Sequence, residues 1–324
     1  MPCEVTQRTA AVARFDDHPL LGHQHTIPTP DIERLAEALR LWHCAGLTGG
    51  LLLGPTRIGK TSAVDDCIAH MNQILTSPCF AWRINWRSSS QITDRNFFAR
   101  MLEGLDYIAT ETGTAQALER RLIERLATFA YDSGGRRFLL FIDDANTLTP
   151  KEYQWLCHVF NELHDRGVKL VVLLIGQPEM RGARALLRDG GDTQVIGRFM
   201  RAEFVFQGVT SEADLETLLR WIDDTSEYPA GSGQSYLQPF LPRALASGFR
   251  LDRLSGRLWS AYKQWRPQHK ADEHSGIDRS MSMMTFNAAI STLVQELVAH
   301  DCENLEVEED LLGAVMRLVA TQHG

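Results

Sequence analysis

The sequence predicts an α/β fold, a parallel five-stranded sheet with helices on both faces, followed by a helical lid domain. Three observations predict it. Strand-like and helix-like segments alternate through the first two thirds of the chain, the pattern of a parallel sheet. "RRFLLFIDD" and "VKLVVLLIG" are almost continuously apolar, as strands buried on both faces must be. From about Ser211 the pattern turns wholly helical. The expected boundaries are an N-terminal extension over 1–30, the α/β domain over 31–208 and the helical domain over 209–324.

Taken in order, "TIPTPDIERLAEALRLWHCAG" opens extended and proline-punctuated. From Asp31 the residues Ile32, Leu35, Leu39 and Trp42 fall at helical spacing, with Thr29 or Asp31 as the cap. "GGLLLGP" reads as a short buried strand entering a glycine turn, and a helix follows from about Gly59 through "SAVDDCIAHMNQIL". "CFAWRINW" is a second strand, ended by the polar run "RSSSQITD". Trp82 and Trp86 share one face of that strand, and core packing is expected for them rather than base stacking. Helices at "RNFFARMLEGLDYI" and "TAQALERRLIERLATFAYD" precede the third strand, "RRFLLFIDDANTL". The helix "KEYQWLCHVFNELHDRG" leads to the fourth strand, "VKLVVLLIGQPE", and a helical segment from Arg184 to Arg201 leads to the fifth, "AEFVFQGV". The helical region is interrupted by "YPAGSGQS" and the charged linker "RPQHKADEHSGIDRS".

The 324 residues are 44% hydrophobic and 23% charged, which is ordinary globular composition. No apolar run approaches the ~20 residues of a membrane helix, and the first residues lack a signal-peptide core. The six cysteines are scattered and never spaced C-x-x-C, which implies a reduced, cytoplasmic protein without a zinc site. His18, His23 and His25 lack the companions that would complete a metal site. A formal net charge of -8 argues against coating nucleic acid by charge alone, although a local basic face remains compatible with it. The carboxylates of "DCENLEVEEDLLGAV" suit a helix start, or alternatively a docking tail for a basic partner.

Gly54-x-x-x-x-Gly59-Lys60-Thr61 stands between a predicted strand and a predicted helix, the context that a phosphate-binding loop requires. The glycines let backbone N–H groups turn inward toward phosphate oxygens at a helix N-terminus. The whole run Gly54, Pro55, Thr56, Arg57, Ile58, Gly59, Lys60, Thr61 and Ser62 is therefore the candidate ATP cradle. Lys60 is placed to reach the β and γ phosphates and Thr61 to ligate Mg²⁺. The strand "FLLFIDD" ends in two acids. Asp143 is the candidate for holding the metal and Asp144 for orienting the attacking water. Asp144 is shorter than the more usual glutamate, so slow or partner-stimulated hydrolysis is expected. Gln177, at the end of the fourth strand in "LLIGQPEM", is a candidate γ-phosphate sensor or a turn residue.

Arg198, just before the fifth strand, is a candidate finger toward a neighbouring subunit's nucleotide, with Arg201 as rival and a surface ion pair as the plain alternative. In "SGFRLDRLSGRLW", Arg250 or Arg253 is a candidate second sensor, or an ordinary helix-surface charge. Arg87, Ser88, Ser89, Ser90 and Arg95 carry donors suited to DNA phosphates, or else form a capped helix start with two surface arginines. Arg181, Arg184 and Arg188 lie at helical spacing and suit DNA or a neighbouring subunit.

Together these features resemble the AAA+ ATPases, P-loop NTPases with a helical lid. The segments "HTIPTPDIERLAEAL", "WRINWRSSS", "GQPEM" and "GFRLDRL" are similar to the TniB/TnsC-type transposition ATPases. The resemblance implies an ATP- and Mg²⁺-dependent regulator of DNA transposition. Such a protein forms a hexameric ring or helical filament on duplex DNA, marks the target without reading sequence, and recruits a transposase together with a target-selection protein. It also implies that the segment after the second strand faces the channel. Two other classes fit parts of the chain: a STAND-like signalling or secretion-assembly ATPase acting on a protein partner, and a metabolic P-loop kinase. The long all-helical C-terminal region fits the kinase poorly.

Overall fold

The computed structural model describes residues 18–22, 27–108, 110, 112–266 and 280–323. Residues 267–279 of the linker read at "RPQHKADEHSGIDRS" and the two histidines His23 and His25 lie outside these residues. The chain divides into two compact units. One comprises residues 31–56 and 60–206. The other comprises the described residues before 31, Arg57–Gly59 and the chain from Gln207.

In the α/β unit, helix α1 (Pro30–Cys44) precedes strand β1 (Gly49–Leu53), and α2 (Lys60–Ala69) and the short α3 (Met71–Leu75) lead to β2 (Phe80–Asn85). Helices α4 (Asp94–Gly104) and α5 (Ala115–Asp132) precede β3 (Arg137–Asp143). Then come α6 (Pro150–Asp165), β4 (Lys169–Gly176), α7 (Met180–Asp189), α8 (Thr193–Phe199) and β5 (Ala202–Val205). The five strands are all parallel, in the order β2-β3-β4-β1-β5. β1 is thus an inner strand, and the loop after it emerges at the carboxyl edge between β4 and β5, where ligands of open α/β sheets collect.

Alternation along β1 shows why the strand reads as a solid apolar run. Leu51 and Leu53 join a cluster with Phe97, Leu122 and Leu156 from α4, α5 and α6. Leu52, pointing the other way, is equally buried, so both sheet faces are covered. Trp86 lies in that cluster and Trp82 packs against it, donating its indole N–H to the Gly104 carbonyl at 2.8 Å; both are core residues. The helix starts are locally encoded. Thr93 and Thr114 accept from the backbone N–H groups of Asn96 and Ala117, and Thr149 with Glu152 forms a capping box.

The other unit is helical: α9 (Glu212–Arg220), a π-helical turn (Trp221–Thr225), α10 (Pro242–Ala246), α11 (Ser255–Trp265), α12 (Met283–Val298) and α13 (Glu309–His323). Its core gathers Leu215, Leu219, Leu258, Phe286, Leu293 and Val315, and also takes in Leu20 and Ile27 from before α1. His18 is buried beside Tyr228, Tyr236 and Phe240, with edge-on ring contacts of 4.7–5.5 Å, and its Nδ1 accepts from the Leu20 N–H at 3.2 Å. Glu309 and Asp310 occupy the first turn of α13, where carboxylates oppose the exposed amide ends. The five described cysteines are free. Among the described residues no helix is long and apolar enough to cross a membrane.

Candidate functional site

The loop Gly54–Gly59 leaves β1 and is fixed at its root, where the Gly54 N–H donates to the Gly176 carbonyl at the end of β4 at 3.1 Å. That bond sets the loop beside Gln177, which is half-buried. Arg57 (φ 64°) and Gly59 (φ 105°) turn through left-handed conformations. Glycine alone adopts the latter without strain, and a side chain there would also meet Met283 Cγ at 3.0 Å. Within the helical unit the Arg57 carbonyl accepts from the Met284 N–H at 3.4 Å, and Ile58 is buried. Thr56, Thr61 and Ser62 are exposed.

Lys60 opens α2 and curls back over the loop, its Nζ donating to the carbonyls of Gly54 at 2.8 Å and Pro55 at 2.7 Å. Burial lowers its pKa, while Asp143, Asp144 and Glu179 act in the opposite direction. Thr61 Oγ1 donates to Asp143 Oδ2 at 2.9 Å, joining the start of α2 to the end of β3. Asp143 is only 7% exposed, and its other oxygen accepts from the Asp144 N–H at 3.0 Å. Asp144 has φ 55° and is exposed, and its carboxylate has no hydrogen bond or ion pair among the described residues. A hydroxyl and a carboxylate within 2.9 Å are hard oxygen donors that fit a magnesium ion completed by phosphate and water.

Sequence reasoning missed Arg83. From β2 it donates to Asp65 of α2 at 2.6 and 2.9 Å, and its Nη1 lies 3.4 Å from Asp143 Oδ2. The signal was present: an arginine inside the apolar strand "FAWRINW" needs an acid beside it. Finding which acid requires the β2–β3 register, in which Asn85 pairs with Asp143.

Arg198 ends α8 at the opposite, amino edge of the sheet. Its carbonyl accepts from Thr48 Oγ1 at 2.8 Å, just before β1 begins. Its guanidinium donates to Asn161 at 3.0 Å and Gln194 at 3.1 Å and lies over the Phe160 ring, making no ion pair among the described residues. Arg201 is exposed. In the helical unit Arg250 pairs with Asp224 at 2.9 Å and Arg253 donates to the Gly248 carbonyl at 3.1 Å.

Of the residues read for phosphate contact, Arg87 and Ser88 are exposed. Ser89 Oγ accepts from the Gln91 N–H at 3.2 Å, and Arg95 Nε donates to the Gly113 carbonyl at 3.1 Å. The base of this segment is anchored by Arg100. It donates to the Arg87 carbonyl, pairs with Glu152 at 2.6 Å and lies 4.1 Å from the Trp86 ring centroid. On α7, Arg181 is already paired with Glu203 of β5, Arg184 is half-buried and Arg188 is exposed.

Residues 48–183 match the family model described as AAA domain. No curated protein matches the sequence. Two solved structures of the ORC2 protein of Aeropyrum pernix are similar to the chain. The ADPNP-ADP complexes share 15% identity over 92% of this chain and 71% of that one, with a TM-score of 0.54. The ADP form shares 14% over 90% and 68%, with a TM-score of 0.55. At these identities the likeness is one of fold: the AAA+ P-loop NTPase architecture with a helical C-terminal region.

Proposed function

We propose that the chain is an ATP-dependent DNA transposition regulator that oligomerises on duplex DNA, marks the target site and recruits or activates a transposase. The observation that carries the reading is the separation of Arg198 from the phosphate loop. Lys60, Thr61 and Asp143 stand at the carboxyl edge of the sheet, whereas Arg198 stands at the amino edge beside Thr48. A finger at that position reaches a γ-phosphate only on another copy, so hydrolysis is tied to assembly as a ring or filament. The ADP and ADPNP complexes of the A. pernix ORC2 protein support ATP as the ligand of this fold.

In this reading the loop amides and Lys60 bind the β and γ phosphates, exchanging the Gly54 and Pro55 carbonyls for phosphate oxygens. Thr61 and Asp143 would hold Mg²⁺, which when bound neutralises phosphate charge. Asp144 orients the attacking water, and its short side chain makes hydrolysis slow or partner-dependent. Gln177 reads the γ-phosphate from the end of β4, and Arg250 or Arg253 reads the nucleotide from the helical unit. Exposed Arg87 and Ser88, with Ser89, Arg95 and Arg184, meet the DNA backbone. Arg181 contributes less, because Glu203 already neutralises it.

The test is fluorescence anisotropy of a labelled random-sequence duplex with ATP, a slowly hydrolysed analogue, ADP or no nucleotide. Binding is expected with the triphosphates only, weakened by salt and lost in Lys60→Ala. Arg87→Ala should weaken binding to all sequences alike and reduce the salt slope by about one. No binding in any nucleotide state at low salt would overturn the DNA reading in favour of a switch acting on a protein partner.

A further inference from the structure

A cavity of about 410 Å³ opens at the amino edge of the sheet, opposite the phosphate loop. It is walled by Leu39 and Trp42 of α1, Leu139 of β3, Phe160 of α6 and Leu170 and Leu173 of β4. Its size falls within the ~300–1,000 Å³ of small-molecule sites. The space depends on a glycine: the Trp42 ring lies directly on Gly50, where an added Cβ would come within 2.5 Å of it.

The charged side chains of this cavity share one sign. Arg137, Lys169 and Arg198 line it, together with His43 and His164, and no carboxylate does so among the described residues. Among the described residues none of the three cations makes an ion pair, and Arg137 has only the His43 ring as hydrogen-bond partner, with its Nη1 at 3.0 Å from Nε2. Burial, with Arg137 and Lys169 nearby, lowers the His43 pKa, and an imidazole in either protonation state supplies no negative charge to offset Arg137. A half-buried guanidinium without an acid, above an apolar floor, is an uncommon arrangement. Such a group retains strong bidentate affinity for a planar anion.

We propose that this cavity is a binding site for a small amphipathic carboxylate, whose anionic end pairs with Arg137 and whose aromatic or branched apolar body lies against Trp42, Leu139 and Phe160. The site is separate from the phosphate loop and does not depend on the function proposed above. A carboxylate fits better than a nucleotide phosphate because the walls are mainly apolar. Arg198 borders the same space.

The test is isothermal calorimetry on the full chain with 4-phenylbutyrate and indole-3-propionate, each beside its uncharged primary amide. The acids are expected to bind about ten-fold or more tightly than the amides, the difference that one charge-assisted pair supplies. Arg137→Gln should erase that preference while the amides bind as before, and Arg137→Lys should restore part of it. His164→Trp, at an exposed position of the rim, should weaken acids and amides together, whereas Lys60→Ala should change neither. Circular dichroism melts of each variant separate lost binding from lost folding. Failure of every acid to bind the parent at millimolar concentration, equal binding of acid and amide, or undiminished acid binding in a folded Arg137→Gln would each overturn the proposal.

Discussion

Replacing Glu152 by alanine should cost the α/β unit about 3 kcal/mol and loosen the segment that carries Arg87. Glu152 is 3% exposed and serves two partners at once. One oxygen accepts from Arg100 Nη2 at 2.6 Å; the other accepts from the Thr149 N–H and Oγ1, both at 2.9 Å. Removing one member of a buried ion pair costs about 3–5 kcal/mol. The Arg100 side chain is 19% exposed and keeps the Arg87 carbonyl and the Trp86 ring, so this pair belongs at or below the low end of that range, about 2–3 kcal/mol. Half a capping box adds roughly 0.5–1 kcal/mol. Glu152→Gln keeps the shape and an acceptor for Thr149, so about 1–2 kcal/mol is expected for it. Urea unfolding followed by tryptophan fluorescence measures both, and hydrogen exchange over Pro150–Asp165 and the backbone around Arg87 localises the loss. An alanine variant within about 0.5 kcal/mol of the parent, the range of an ordinary surface substitution, would refute the reasoning. So would an Arg100→Met, Glu152→Gln double-mutant cycle without coupling.

Three other outcomes follow from the geometry. Arg83→Gln removes the cation between Asp65 and Asp143, so steady-state ATP hydrolysis should fall about ten-fold in kcat with KM little changed, since Asp143 loses an orienting partner; a rise in KM alone would contradict this. Gly59→Ala places a side chain at φ 105° against Met283, and titration with a fluorescent ATP analogue should show about ten-fold or greater weakening. Burial pushes Asp223 up to about 6 despite the Leu251 and Asp252 N–H groups that it accepts from. The folded state therefore holds this proton more tightly than the unfolded chain. The resulting stabilisation is full below about pH 4, is lost as pH rises through about 6, and amounts to at most about 3 kcal/mol. Urea midpoints of the helical unit between pH 4 and 7 should fall in the parent and run flatter in Asp223→Asn; equal slopes would refute the assignment.

Much of this was legible in the residues because it is local. The strand-loop-helix around Gly54–Thr61 and the apolar run ending at Asp143 depend on period and composition, and Thr114, Thr149 and Ser211 announce the helices that they cap. What stayed hidden depends on pairings remote in sequence. Spacing alone could not show that Arg181 is neutralised by Glu203, or that Arg83 meets both Asp65 and Asp143. Nor could it show that Arg57–Gly59 groups with the helical unit. The basic cavity is further still from a motif, since its walls come from α1, α3, the inner strands β1, β3 and β4, α6 and α8, segments that converge only once the sheet order is fixed.

The bond from Thr48 Oγ1 to the Arg198 carbonyl has a mechanical meaning. Thr48 stands immediately before β1, a five-residue strand about 17 Å long, and Gly54 begins directly at its other end. Because β1 is held between β4 and β5, it resists bending and transmits axial displacement like a pushrod. If an adjoining copy engages Arg198, as proposed above, its pull would reach the root of the phosphate loop along this one strand.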